Sequence, residues 1–148
     1  MKARILPSLN HVGITVISIS DTIEFYKKIT DVEIFENPTR IRGEGVGNVI
    51  CVSSPDYDSC MVRIGNQSLE LIEHHSSKGD HIIANHNDVG GVHLAFMVQD
   101  ISHAFGVITS MGIKTTTNEP YDALELDGYK SFFFRDINGV QVEVGEVY

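Results

Sequence analysis

The chain has 148 residues, of which 42% are hydrophobic, and its formal net charge is −9. A chain of this length and composition can bury a core, either as one compact unit or as two small halves, which excludes disorder as its main state. The negative charge, without any cluster of basic residues, disfavours binding to nucleic acid.

Two further classes of protein are disfavoured. The sequence has no run of 18 apolar residues and no recognisable signal peptide, so we expect a cytoplasmic protein that does not enter a membrane. Its two cysteines, Cys51 and Cys60, lack the spacing of a zinc or redox motif and are expected to be reduced thiols.

One pattern occurs twice, displaced by 82 residues. The stretch HVGITVISISDTIEFYKKI from His11 aligns with HLAFMVQDISHAFGVITSM from His93. In each copy, alternating apolar residues predict a strand, and apolar residues at three-residue spacing predict a short helix after it. The expected N-caps are Ser20 or Asp21 and then Ser102, and Gly112 is expected to end the second helix.

Further strands are predicted after each helix, at 32–35, 49–52, 61–64 and 68–72 in the first copy and at 112–116, 130–135 and 140–144 in the second. The pair Asn138-Gly139 predicts a hairpin turn before the last strand. The predicted fold is therefore α+β, a single domain over residues 1–148 built from two tandem βαβββ modules. The modules span about 8–74 and 91–148, with a linker at about 75–90.

Four polar residues occupy matching positions in these modules. His11 and His93 lie on the first strands and Glu70 and Glu143 on the last strands, each on the face opposite the aliphatic residues. Singly, each is better explained as a core histidine or a solvated glutamate. Together they favour a metal, because two carboxylates in one cavity need a cation or a proton. Imidazole and carboxylate ligands suit Ni, Co, Zn, Mn or Fe(II).

The motifs LNHVGITV, EFYKK, LELIEH, GGVHLAFMVQDI and FFFRDINGVQVEV resemble the vicinal oxygen chelate superfamily. That superfamily includes glyoxalase I, methylmalonyl-CoA epimerase, extradiol dioxygenases, fosfomycin-resistance enzymes and bleomycin-binding proteins. The resemblance spans nearly the whole chain and implies a cup of paired modules around a divalent metal, with ligands at His11, Glu70, His93 and Glu143. This ligand pattern is similar to that of bacterial glyoxalase I, although ITDVEI and the segment before His93 depart from it.

The resemblance implies a metal-dependent isomerase, epimerase or lyase acting on a small oxygenated substrate. The implied step removes a proton next to a carbonyl and forms a metal-stabilised enediolate. Glu143 is the expected base, Glu70 its partner, and Glu44 a second catalytic acid or a solvated loop residue. Open alternatives are an Fe(II) extradiol-type dioxygenase, a fosfomycin-type thiol transferase and a drug-binding protein without catalysis. Family members are commonly homodimers, and the same is expected here.

Other polar residues allow a functional and a structural interpretation. Arg40, Arg42 and Arg63 either meet an acidic substrate group or lie on the surface. The histidine-rich segment 74–86 does not have the spacing of a closed zinc site and is expected to be a loop. Tyr121 and Tyr129 flank a loop that either covers the cup or is simply exposed.

Overall fold

The computed structural model describes residues 5–6, 8–125 and 128–148, and the chain divides into two compact units. The first unit ends at Asp80 and the second spans His81–Tyr148, so the boundary lies within the predicted linker. The elements of the first unit are β1 (Val12–Thr15), α1 (Ile19–Lys27), β2 (Val32–Arg42), α2 (Glu44–Ile50), β3 (Asp56–Ile64) and β4 (Gln67–Ser76). Those of the second are β5 (His93–Met97), α3 (Ile101–Ser110), β6 (Tyr121–Ala123), β7 (Tyr129–Arg135) and β8 (Gln141–Val147).

Each unit contains one four-stranded sheet, and the two sheets have the same topology. Their strand orders are β1-β4-β3-β2 and β5-β8-β7-β6. In both, the first strand pairs in parallel with the last, and the remaining pairs are antiparallel. The predicted α+β class is therefore confirmed, and each unit has the element order of a βαβββ module, with the short helix α2 added in the first.

The internal repeat extends to the register of the parallel strands. Gly13 lies opposite Glu70 in the first sheet, and Ala95 lies opposite Glu143 in the second. Gly13 and Ala95 occupy equivalent places in the repeat. The two glutamates are therefore equivalent in space as well as in pattern.

The aliphatic face of each last strand is buried. Leu69 and Leu71 of β4 are 3% and 1% exposed, and Val142 and Val144 of β8 are 0% and 5% exposed. Helix α1 packs on β2 and β4, and helix α3 packs on β7 and β8. Because side chains alternate along a strand, this packing turns the glutamate between each aliphatic pair to the opposite face. Within the described residues, no helix is long and apolar enough to cross a membrane.

The predicted N-caps are wrong by two or three residues in α1 and by two in α3. The caps are Ser18, whose Oγ accepts a hydrogen bond from the Asp21 amide at 3.2 Å, and Asp100, whose Oδ1 accepts one from the His103 amide at 2.8 Å. An N-cap residue needs extended backbone, which both have, with φ of −149° and −142°. Ser20 and Ser102 already lie inside the helices.

A glutamate from the last strand also contacts the first residue of each helix. The Ile19 amide donates to Oε2 of Glu73 at 2.8 Å, and the Ile101 amide donates to Oε2 of Glu146 at 2.7 Å. Amides in the first turn of a helix have no partner within the helix, and negative charge is favourable there. These carboxylates therefore tie each helix to the strand on which it packs.

Replacing Glu146 with alanine is expected to lower the free energy of unfolding by about 2 kcal/mol, because the Ile101 amide loses a hydrogen bond to a charged acceptor. Urea denaturation followed by circular dichroism measures this change. The control is Glu119→Ala, which removes an exposed carboxylate from a loop and should change stability by less than about 0.5 kcal/mol. Equal losses in the two variants would contradict the prediction.

Two predicted strands are also wrong. The segment predicted as a strand at 49–52 lies at the end of α2, which Cys51 terminates with a left-handed φ of 57°. Val49 is 81% exposed, so the apolar residues of this segment do not form a buried strand. The segment 112–116 contributes an isolated bridge, between Thr115 and Phe134, and the fourth strand of that sheet is instead β6.

Candidate metal centre

The first unit brings His11 and Glu70 together, and these two residues are called the first pair. Strand β1 begins directly after His11 and runs parallel to β4, which carries Glu70. Nε2 of His11 lies 3.3 Å from Oε2 of Glu70. The two side chains are 36% and 25% exposed, so solvent and small molecules can reach both.

Both members of the first pair have a second polar contact. Nδ1 of His11 lies 2.8 Å from Oδ1 of Asn10, and the Ser59 hydroxyl donates to Oε1 of Glu70 at 2.6 Å. An amide oxygen can only accept, so if Nδ1 carries the ring proton, Nε2 of a neutral ring presents its lone pair to Glu70. A lone pair and a carboxylate oxygen at this distance are stabilised by a proton or a metal ion between them.

The second unit brings His93 and Glu143 together in the same way, and these residues are called the second pair. Nε2 of His93 lies 3.1 Å from Oε2 of Glu143, and the side chains are 37% and 14% exposed. The Tyr129 hydroxyl donates to Oε1 of Glu143 at 2.6 Å. Burial, together with the adjacent Glu143 carboxylate, raises the pKa of Tyr129 to about 12, so the hydroxyl keeps its proton at neutral pH and can donate it.

Two aromatic rings lie beside His93. The ring centroids of His86 and Phe133 lie 5.5 and 5.9 Å from that of His93. His86 is brought there by Arg135, whose Nη2 donates to the carbonyl of Ala84 at 2.8 Å and so fixes the segment before β5 against β7. Sequence reasoning did not associate His86 with His93.

The remaining histidines of segment 74–86 have separate contacts. The ring of His74 stacks on Tyr57 at 5.0 Å, His75 contacts Asp58 at 3.0 Å, and Nε2 of His81 lies 2.8 Å from the carbonyl of Asn138. Across the described residues, no three His, Cys, Asp or Glu side chains form a group that could hold a metal ion. The structure thus shows the predicted ligands as two pairs.

Glu44 is the first residue of α2 and lines a cavity of about 560 Å³ in the first unit. Asn48 and Cys51 line the same cavity, whereas His11 and Glu70 are not among the described residues that do. A catalytic role for Glu44 therefore stays a prediction from sequence. Both cysteines are free, Cys51 exposed and Cys60 buried.

The three candidate arginines are paired with carboxylates. Arg40 and Arg42 both bind Asp56, with Arg40 Nη2 at 2.8 Å from Oδ2 and Arg42 Nε at 2.8 Å from Oδ1. Arg63 Nη1 donates to Glu33 at 2.9 Å. Since each positive charge already has a counter-ion within the first unit, the structure favours the surface interpretation over recognition of an acidic substrate.

The Arg40 and Arg42 hydrogen bonds lower the pKa of Asp56 to about 2. This folded-state pKa is below the unfolded value of about 3.9, so the ionised carboxyl stabilises the fold above about pH 4. That stabilisation is lost as the pH falls towards 2. We expect Asp56→Asn to reduce the pH dependence of stability between pH 4 and 2, measured by urea denaturation, while the exposed Asp31→Asn control retains it. Identical slopes in both variants would contradict this assignment.

Two contacts to the glutamates were not anticipated from the sequence. Ser59 lies outside every predicted site, and Tyr129, predicted to flank a loop, begins β7 and contacts Glu143. Tyr121 lies on β6 and is 55% exposed. A signal for Tyr129 exists in Gly145, because a glycine within an aliphatic strand often marks the close approach of another group.

Known proteins resemble this chain at the level of a family model and of solved structures. A family model described as the Glyoxalase/Bleomycin resistance protein/Dioxygenase superfamily matches residues 10–134. A search of curated proteins finds no match.

Solved structures with the same fold include a glyoxalase family protein from Bacillus cereus, at 22% identity and a TM-score of 0.79, covering 99% of this chain and 98% of that one. A glyoxalase family protein from Enterococcus faecalis is 21% identical with a TM-score of 0.66, covering 97% and 100%. The fosfomycin resistance protein FosX from Listeria monocytogenes, complexed with Mn(II) and sulfate, is 15% identical with a TM-score of 0.60, covering 97% and 95%.

Proposed function

This chain belongs to the Glyoxalase/Bleomycin resistance protein/Dioxygenase superfamily, and on that premise we propose that it is a divalent-metal-dependent isomerase, epimerase or lyase. The proposed metal ligands are His11, Glu70, His93 and Glu143. The observation that carries the proposal is the His–Glu pair, which occurs once in each unit at the same register of the parallel strands. The proposed substrate is a small oxygenated compound with a carbonyl group.

The geometry of the pairs supports metal binding. Ligand atoms bound at about 2.1 Å to one ion at right angles lie about 3 Å apart. The Nε2–Oε2 separations of 3.3 and 3.1 Å are close to this value. In the first pair, an Nδ1–H donated to Asn10 would leave the Nε2 lone pair available to a metal, which is the form of histidine that binds metals.

A bound divalent ion would supply Lewis acidity, polarising the substrate carbonyl and making the adjacent C–H more acidic. Oε2 of Glu143 is the proposed acceptor of that proton once it has dissociated from the ion, since Oε1 is already hydrogen-bonded to Tyr129. Glu70, with Oε1 bonded to Ser59, presents the equivalent oxygen from the first unit. The carboxylate of Glu143 is the less exposed of the two, at 14% against 25%, so bulk water competes less with it for the proton.

The first experiment measures metal binding. Protein purified without chelator is analysed for metals by mass spectrometry, stripped, and titrated with Mn(II) by calorimetry. Mn(II) is the first probe because FosX of Listeria monocytogenes, which shares the fold, has been crystallised with it. His11→Ala and His93→Ala should each abolish binding, whereas His103→Ala, an exposed histidine on α3, should not. Absence of binding by the unmodified chain would overturn the proposal.

A second experiment identifies the reaction class. Metal-loaded protein is incubated in D₂O with a panel of 2-oxo acids and CoA thioesters, and deuterium incorporation next to the carbonyl is followed by NMR. Incorporation that depends on both metal and Glu143 is the expected result. Fe(II)-dependent oxygen uptake, or thiol addition to an epoxide, would instead assign the chain to the dioxygenase or transferase members. We also propose a homodimer, which sedimentation analysis of the same samples measures.

A further inference from the structure

The two glutamates have the same set of contacts, although the donors differ. In each, Oε2 faces a histidine Nε2 and Oε1 accepts a hydroxyl hydrogen bond at 2.6 Å. The hydroxyl belongs to Ser59 in the first unit and to Tyr129 in the second. We propose that Tyr129 is a positioning residue that leaves one oxygen of Glu143, Oε2, free to bind a metal. We propose also that Gly145, which has no side chain, makes room for the tyrosine. This inference rests on the proposed function, because it concerns Glu143 as a metal ligand.

The strand register explains how Tyr129 reaches Glu143. Phe133 of β7 lies opposite Glu143, and Ser131 lies opposite Gly145. Tyr129 is a further two residues away, so its side chain must extend back along the sheet and pass over Gly145. A Cβ atom at Gly145 would lie 2.3 Å from the Tyr129 hydroxyl oxygen and 2.8 Å from Cζ, which real atoms do not tolerate. Any other residue at this position would displace the tyrosine.

The first unit has the same strand positions but different residues. Ile72 occupies the place of Gly145, two residues after the glutamate, and Tyr57 occupies the place of Tyr129. Tyr57 is 7% exposed and stacks on His74. Ser59, which lies opposite Ile72, donates to Glu70 instead. The unit with a large residue at this position, Ile72, thus uses a short donor, Ser59. The unit with a glycine there uses a long donor, Tyr129.

The Tyr129 contact restricts what the Glu143 carboxylate can do. A carboxylate without a fixed partner can rotate and bind an ion through one oxygen or both. Occupation of Oε1 by the Tyr129 hydroxyl favours binding through Oε2 alone, the oxygen next to His93. Outer contacts of this kind typically change metal affinity by 10–100-fold when they are removed.

The test compares Tyr129→Phe with the unmodified chain and with Tyr57→Phe, which removes the hydroxyl from the equivalent position of the first unit. Mn(II) affinity is measured by calorimetry, and the visible absorption of the Co(II)-loaded protein reports ligand geometry. Tyr129→Phe should bind Mn(II) about 10–100-fold more weakly and shift the Co(II) bands. Tyr57→Phe should change neither quantity.

Gly145→Ala provides a second, independent test. It should reproduce the loss seen in Tyr129→Phe, and the double variant should lose no more than either single variant, because both changes break the same contact. Unchanged affinity and spectrum in Tyr129→Phe would overturn this inference and leave the proposed function standing. Failure of the unmodified chain to bind Mn(II) or Co(II) would overturn both.

Discussion

Glu143→Gln is expected to weaken Mn(II) binding more than 100-fold and to reduce metal-dependent deuterium exchange by about 10²–10⁴-fold. Glutamine keeps the size of the side chain but removes the negative charge next to His93 and the proton acceptor. The loss should exceed that of Tyr129→Phe, because a direct ligand is changed rather than its hydrogen-bond donor. Calorimetry measures the first effect and NMR in D₂O the second.

The same strand offers a matched control for this variant. Glu146 lies on the opposite face of β8, where its carboxylate accepts from the Ile101 amide. Glu146→Gln is expected to leave Mn(II) affinity unchanged, although it lowers stability. Equal Mn(II) affinity in Glu143→Gln and the unmodified chain would exclude Glu143 as a ligand.

Phe132→Ala is expected to lower the free energy of unfolding by about 3–5 kcal/mol. Phe132 is 1% exposed, contacts the edge of Phe105 with ring centroids 5.1 Å apart, and neighbours Phe134. Its removal leaves a cavity between α3 and β7 that the surrounding side chains fill only in part. Guanidinium denaturation measures the loss.

Phe35→Ala is the control for this prediction. Phe35 is 40% exposed on β2, so its removal creates no closed cavity and should cost about 1 kcal/mol or less. A similar loss in Phe35→Ala and Phe132→Ala would contradict the prediction that the packing of Phe132 on Phe105 and Phe134 stabilises the fold.

Much of the fold could be predicted because it depends on local patterns. The alternation of apolar and polar residues identified the two faces of β4 and β8, and the repeat aligned His11 with His93 in sequence. The α+β class followed from these patterns and is confirmed, and each unit has the element order of a βαβββ module. Apolar residues at 49–52 misled the strand prediction because hydrophobicity alone does not distinguish a buried strand from the exposed end of a helix.

The ligand assignment itself stays a prediction, and the contacts that support it could not be read from the sequence. Tyr129 reaches Glu143 only because β7 and β8 pair in one register, and Ser59 reaches Glu70 for the same reason. Both contacts join two neighbouring strands, across 11 residues for Ser59 and Glu70 and 14 for Tyr129 and Glu143, and only the second has a signal in the sequence, Gly145. Glu73 and Glu146 show the same limit, since each contacts a helix that begins many residues earlier.

The parallel pairing of first and last strands has a consequence for the order of events during synthesis. The histidine of each pair precedes or begins the first strand of its unit, and the glutamate lies on the last, so neither pair exists until nearly the whole unit has been made. Contacts between such distant residues form late, because the chain between them must first be ordered. A nascent chain that stops before β8 carries His93 without Glu143. On the proposed ligand assignment, a metal ion would therefore be acquired only when each unit is complete, and the bound ion would hold the final strand against the first.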